Sequence, residues 1–115
     1  MIRAMLAALT LGAALAASAQ GVTDSQVVLG QSVALSGPAQ ELGKDMQVGA
    51  SLYFNHVNSR GGVNGRKIVL KTLDDGYEPP RAVANTRELI EKDRVFALFG
   101  YVGTPTSQAV LPIFT

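Results

Sequence analysis

Hydrophobic and polar positions along the chain switch between two rhythms in a regular order. Residues Gln26 to Leu35 (QVVLGQSVAL) are dense in valine and leucine and stop at Ser36-Gly37-Pro38, a turn signature, so they predict a strand. From Leu42 to Asn58 apolar side chains recur every three or four positions, at Leu42, Met46, Ala50, Tyr53 and Val57. That spacing predicts a helix with this stripe as its inner face, leaving Lys44, Gln47, Ser51, Asn55 and Asn58 mostly on other faces. Gly61-Gly62 ends the helix, because glycine takes the left-handed C-terminal conformation at no steric cost.

The same cycle then repeats. Asn64-Gly65 predicts a turn, and Lys67 to Leu73 (KIVLKTL) a strand that closes on Asp74-Asp75-Gly76, with the two aspartates expected to cap the strand end and position the turn. Pro79-Pro80 suits the first turn of a helix, where a missing amide hydrogen costs little. That helix carries Ala82, Val83, Thr86, Leu89 and Ile90 on one side, with Glu88 and Lys92 as an exposed pair four residues apart. Val95 to Phe99 (VFALF) is apolar without alternation, the pattern of a strand buried on both faces. Gly100-Tyr101-Val102-Gly103-Thr104-Pro105 follows, with Thr104 predicted as N-cap and Pro105 as first residue of a third helix running towards Thr115.

Strand and helix in strict alternation define an α/β fold with a doubly wound, mostly parallel sheet. Such sheets hold ligands outside the carboxyl ends of their strands, and in the flavodoxin-like order the strand order reverses between the first and third strands. Those two strands end in Ser36-Gly37-Pro38 and in Gly100-Tyr101-Val102-Gly103-Thr104. Both loops carry hydroxyls and little bulk near the backbone, so a small polar ligand could approach closely.

The first nineteen residues change the setting. Arg3, an apolar stretch from Ala4 to Ala17 and the small-residue ending Ala17-Ser18-Ala19 have the architecture of a cleavable secretory signal, so residues 1–19 are expected to be removed and residues 20–115 to work in the periplasm. A membrane-spanning helix would need about 20 predominantly apolar residues, and this run is shorter and meets polar residues at once. With Arg3 gone, nine basic residues face nine acidic ones. That balance offers no basic surface for nucleic acid. The chain contains no cysteine, which removes disulfides, thiolate metal sites and a cysteine nucleophile.

Enzyme signatures are scarce. GPAQELGK follows a strand and opens a helix, as a phosphate-binding loop does, but five residues separate Gly37 from Gly43, and Asp45 stands where a magnesium-binding hydroxyl belongs. The dinucleotide glycine fingerprint is missing from the same loop, so no nucleotide cofactor is expected. The single histidine, His56, sits on the first helix away from any candidate nucleophile. Neither Gly-x-Ser-x-Gly, His-Glu-x-x-His nor an acidic calcium loop occurs, and no catalytic residue, cofactor or metal site is assigned.

The segments VALSGPAQELG (Val33–Gly43), NSRGGVNGRKIVLKTLDDGYEPPRAV (Asn58–Val83) and FALFGYVGTPTSQAV (Phe96–Val110) resemble the amino-terminal lobe of type I periplasmic binding proteins, within them the branched-chain amino-acid (leucine/isoleucine/valine) branch that serves ABC importers. The resemblance spans nearly all the chain after the signal and implies the amino-terminal part of the first of two α/β lobes that close around a solute. It implies that Thr104, flanked by Gly103 and Pro105, offers a hydroxyl and backbone amides to a ligand carboxylate, and that Ser36 and Gly37 form the first loop of the site. Leu42 stands where amino-acid binders present an aromatic residue; either Tyr101 supplies that ring or the ligand is another small solute, such as an amide or urea. The implied partners are a small amino-acid-like solute and the membrane permease of an ABC importer, with a monomeric full-length protein. Two other readings share the fold: a ligand-sensing extracytoplasmic domain of a signalling receptor, and an exported hydrolase with its catalytic residues elsewhere.

Overall fold

A computed structural model describes residues 18–115, so most of the expected signal lies outside the described residues. Strand β1 (Gln26–Val33) leads into helix α1 (Gln40–Ser59), strand β2 (Lys67–Asp74), helix α2 (Pro79–Arg87), a short strand β3 (Ala97–Leu98) and helix α3 (Thr104–Phe114). The three strands form one parallel sheet in the order β2-β1-β3, with Gln26 opposite Lys67 and Val33 opposite Asp74 along the long pair. The doubly wound α/β arrangement and the adjacency of the first and third strands are therefore as the alternation of patterns predicts.

Several local signals act as expected. Asn64 and Gly65 both have positive φ and form a two-residue turn between Val63 and Arg66, whose backbones bond each other at 2.7 and 3.0 Å. Gly61 and Gly62 unwind α1, and the Gly62 amide donates back to Val57. Pro79 and Pro80 open α2. That helix buries Ala82 and Thr86, and a π-helical turn (Glu88–Lys92) continues it, closed by the Asp93 amide donating to the Glu88 carbonyl. The wider turn carries Leu89 to full burial over Gly30 of β1, where it meets Val95. Ala82, Leu89, Val95 and Val110 are buried on the α2–α3 side of the sheet, and Val33 is fully buried at the end of β1.

Three expectations need correction. Of the expected inner stripe of α1, Ala50 is buried and Val57 half-buried, but Leu42, Met46 and Tyr53 are 57, 39 and 65 % exposed. The inner side is completed by the buried Gly43 and by Gln47, Phe54 and Asn58, which are half-buried along it. Two polar or small residues decide this rotation. Gly43 lets the helix touch the end of β1, since any Cβ there would collide with the Ala34 carbonyl, and Asn58 pairs with Ile68 in both directions at 2.8 Å.

Residues 95–99 are not a strand buried on both faces: only Ala97 and Leu98 are in the ladder, and Phe96 and Phe99 are 54 and 42 % exposed. As an edge strand, this segment has β1 on one side and no neighbour on the other among the described residues. Finally, Thr104 is not the N-cap of α3. Gly103 holds that position, so Thr104 is the first helical residue and Pro105 the second.

Candidate functional site

At the carboxyl end of the sheet, Asp74 closes β2 and reaches sideways to the neighbouring loop. Its carboxylate accepts hydrogen bonds from the Leu35 amide (2.8 Å), the Ser36 hydroxyl (2.6 Å) and the Gly76 amide (2.9 Å). Arg81 stands beside it at 3.4 Å. Burial by itself pushes the Asp74 carboxyl up, but the hydrogen bonds from Ser36, Leu35 and Gly76 and the Arg81 guanidinium outweigh it and bring its pKa down to about 2. The hydroxyl proton of Ser36 is thus engaged within the protein. Ser36 and Gly37 remain exposed, and Gly37 lies next to the Gly76 carbonyl.

Asp75, the second member of the pair, is fully buried and receives the Ser32 hydroxyl at 2.8 Å and the Tyr77 amide at 2.9 Å. Both aspartates therefore act as the strand-end and turn supports that their position suggests. The turn they hold is unusual, because Gly76 and Tyr77 both have positive φ (57° and 65°). For a tyrosine this conformation costs roughly 1–2 kcal/mol.

The loop after β3 is fixed from several sides. The buried Gln31 donates its amide to the Gly100 carbonyl at 2.9 Å and accepts the Thr72 hydroxyl at 2.9 Å. Tyr101 turns its phenol towards α2, where it shares a 2.8 Å hydrogen bond with Thr86. Burial pushes this phenol above its ordinary pKa; the Asp75 carboxylate adds to the rise and the Thr86 bond opposes it. Gly103 then turns the chain at φ 122° into α3, and the Thr106 hydroxyl bonds back to the Gly103 carbonyl at 3.0 Å. No side chain caps this helix start. Thr104 is exposed there beside Gly103, Ser107, Gln108 and Leu111, which line a shallow depression.

The six predicted site residues therefore fall into separate places. Ser36 and Gly37 lie on the first loop, Gly103 and Thr104 at the mouth of α3. Leu42 lines an open apolar groove of about 580 Å³ with Met46, Tyr53, Phe54, Phe99 and Val102. Tyr101 faces a different, smaller hollow of about 210 Å³ with Leu98, Val110, Leu111 and Phe114, so its ring does not stand in for an aromatic residue at Leu42. Gln31, Tyr77 and Arg81 were not marked by any pattern in the sequence. The only trace of Tyr77 is its place directly after Asp-Asp-Gly. Among the described residues no three His, Cys, Asp or Glu side chains converge to hold a metal, and no helix is long and apolar enough to cross a membrane.

A parallel 2-1-3 sheet whose first and third loops leave its carboxyl edge from adjacent strands is the start of a type I periplasmic binding lobe, and comparison with known proteins agrees. Residues 26–115 match the model of a family described as periplasmic binding protein, and the chain belongs to that family. It is 32 % identical over 101 residues to an amino acid binding protein of Pseudomonas aeruginosa, covering 88 % of this chain and 26 % of the relative. Among solved structures it is similar to a possible leucine/isoleucine/valine-binding protein from Rhodopirellula baltica (37 % identity, TM-score 0.74, 85 % of this chain and 26 % of that one). It is also similar to a fatty acid ABC transporter substrate-binding protein from Thermomonospora curvata (36 % identity, TM-score 0.75, 84 % and 24 %). The chain spans about a quarter of the length of these relatives.

Proposed function

We propose that this chain belongs to an exported solute-binding subunit of an ABC importer, and that it supplies one side of a cleft that closes over a small polar solute, an amino acid or related amide, without chemical turnover. The observation that carries this reading is the uncapped start of α3. There Thr104 presents an exposed hydroxyl at the positive end of the helix dipole, beside a depression that continues along the flank of α3 past Ser107, Gln108 and Leu111. Pro105 contributes no amide, so the Thr104 hydroxyl, the Thr104 amide and the Thr106 amide are the donors for a ligand carboxylate. Ser36 and Gly37 face the ligand through their backbone, because the Ser36 side chain serves Asp74. Gly103 gives the close approach, and Leu42 borders the apolar side.

Export through a signal cleaved after Ala19 fits the same reading. From Gln20 onward the chain is tied to the fold, with the Gln20 side chain donating to the Ile90 and Val95 carbonyls at 3.2 Å. The membrane permease of the importer would be the protein partner, and the full-length subunit would act as a monomer. The test is calorimetric titration of the full-length protein with L-leucine and related amino acids, amides and short carboxylates. Saturable binding of one of these without turnover is expected, whereas hydrolysis of a bound solute would replace this reading with an enzyme.

A further inference from the structure

Tyr77 sits in a backbone conformation that glycine or asparagine adopts readily and that tyrosine seldom does. An observed outlier of this kind asks for a reason in its surroundings. Its amide is anchored on Asp75, which is fully buried and itself bonded to Ser32 of β1. Its ring is laid against Gly103 at the other loop: a Cβ on Gly103 would come within 2.8 Å of Tyr77 Cε2, and within 2.5 Å of the Thr106 hydroxyl. Gly103 has no room for a side chain because the Thr106 hydroxyl and the tyrosine ring together occupy it. The two loops that flank the end of β1 are thereby joined directly, and Gly103 is the residue that sets the direction of Thr104.

We propose that Tyr77 is a positioning residue for the ligand site. Held by Asp75 in its left-handed conformation, its ring clasps Gly103 and fixes the first turn of α3, so that Thr104 and the helix-start amides are aimed before the ligand arrives. The proposal rests on the reading of Thr104 given above. It places the determinant of site geometry on the β2–α2 loop, which itself contributes no ligand contact. Preorganisation of this kind raises affinity by lowering the ordering cost at binding.

The experiment compares wild type, Tyr77→Asn and Tyr77→Phe in the full-length protein. Asparagine tolerates the left-handed backbone and removes the ring, while phenylalanine keeps the ring. Amide hydrogen exchange is followed without ligand, and L-leucine binding is measured by calorimetry well below the melting temperature. Tyr77→Asn is expected to speed exchange at residues 103–107 about tenfold with α1 unchanged, and to weaken L-leucine binding about tenfold. Tyr77→Phe is expected to match wild type in both. Unchanged exchange in Tyr77→Asn would overturn the clasp. Faster exchange with affinity held within about twofold would overturn the positioning role. A wild type that binds neither L-leucine nor any of the related amino acids, amides and short carboxylates would overturn the functional reading on which the positioning role depends, and the exchange comparison would still decide whether the ring holds the loop. If another of these solutes binds in place of L-leucine, the affinity comparison is made with that solute.

Discussion

The β1–α1 and β3–α3 loops leave the sheet side by side and carry similar residues, hydroxyls among glycines with a proline close by, yet they end in opposite states. In the first, the Ser36 hydroxyl is bound to Asp74 and the backbone is pinned by the Leu35 amide on the same carboxylate. In the second, Gln31, Thr86 and Tyr77 hold the loop from outside, and Thr104 at its end has its hydroxyl exposed. A hydroxyl at the carboxyl edge of a parallel sheet is therefore not by itself a ligand group. What distinguishes Thr104 from Ser36 is whether a neighbouring strand already supplies an acceptor.

Substitutions sharpen this contrast. The largest effect is expected at Gly43, where the first loop meets its helix. Gly43→Ala drives a methyl group into the Ala34 carbonyl and should lower unfolding free energy by about 3 kcal/mol or more, read as a shift in denaturant midpoint at constant m. A stable Gly43→Ala variant would mean that α1 is free to move off β1. Thr104→Ala comes next. Removing a hydrogen bond to a charged carboxylate is worth about 1.5–3 kcal/mol, or roughly ten- to a hundredfold in affinity. Because Gly103 rather than Thr104 holds the N-cap position and the Thr104 side chain caps nothing, the melting temperature should barely move. An unchanged dissociation constant would remove Thr104 from the site.

The third effect is a pH dependence. Asp74 has its pKa lowered to about 2 in the fold, so it contributes stability that is fully present above its unfolded value near 4 and is lost as pH falls towards 2. At most about 2.5 kcal/mol is involved, less for the partial exposure of the pair with Arg81. Acid titrations of stability should be flatter in Asp74→Asn than in wild type over that window, and parallel curves would contradict the assigned hydrogen bonds. The smallest effect is expected for Ser36→Ala, a loss of about 1 kcal/mol in stability with ligand affinity nearly unchanged. A large affinity loss there would erase the distinction between the two loops.

Alternation of strand and helix was legible in the sequence because each boundary carries its own chemistry: Asn64-Gly65 for the tight turn, Gly61-Gly62 for the helix end, Pro79-Pro80 for the helix start. The rotation of α1 was not, since hydropathy ranks Leu42 and Tyr53 above Gln47 and Asn58 and is blind to an amide that finds a backbone partner. Nor was the helix start at Gly103, where a threonine followed by proline imitates a cap. The two loops of the candidate site were marked in the sequence, but their supports were not. Ser36 meets an acceptor 38 positions away, and Tyr77 acts through a ring contact that leaves no periodic trace.

Asn58 has a consequence for the sheet as a whole. Its side chain presents one donor and one acceptor to Ile68, the pair of groups that a neighbouring strand would present. On the outer side of β2 a single carboxamide thus occupies the backbone groups of Ile68 that a next strand would need at that point of the edge. No side chain does the same on the outer side of β3 among the described residues, so the two edges of the sheet differ in how readily a neighbouring strand could pair with them.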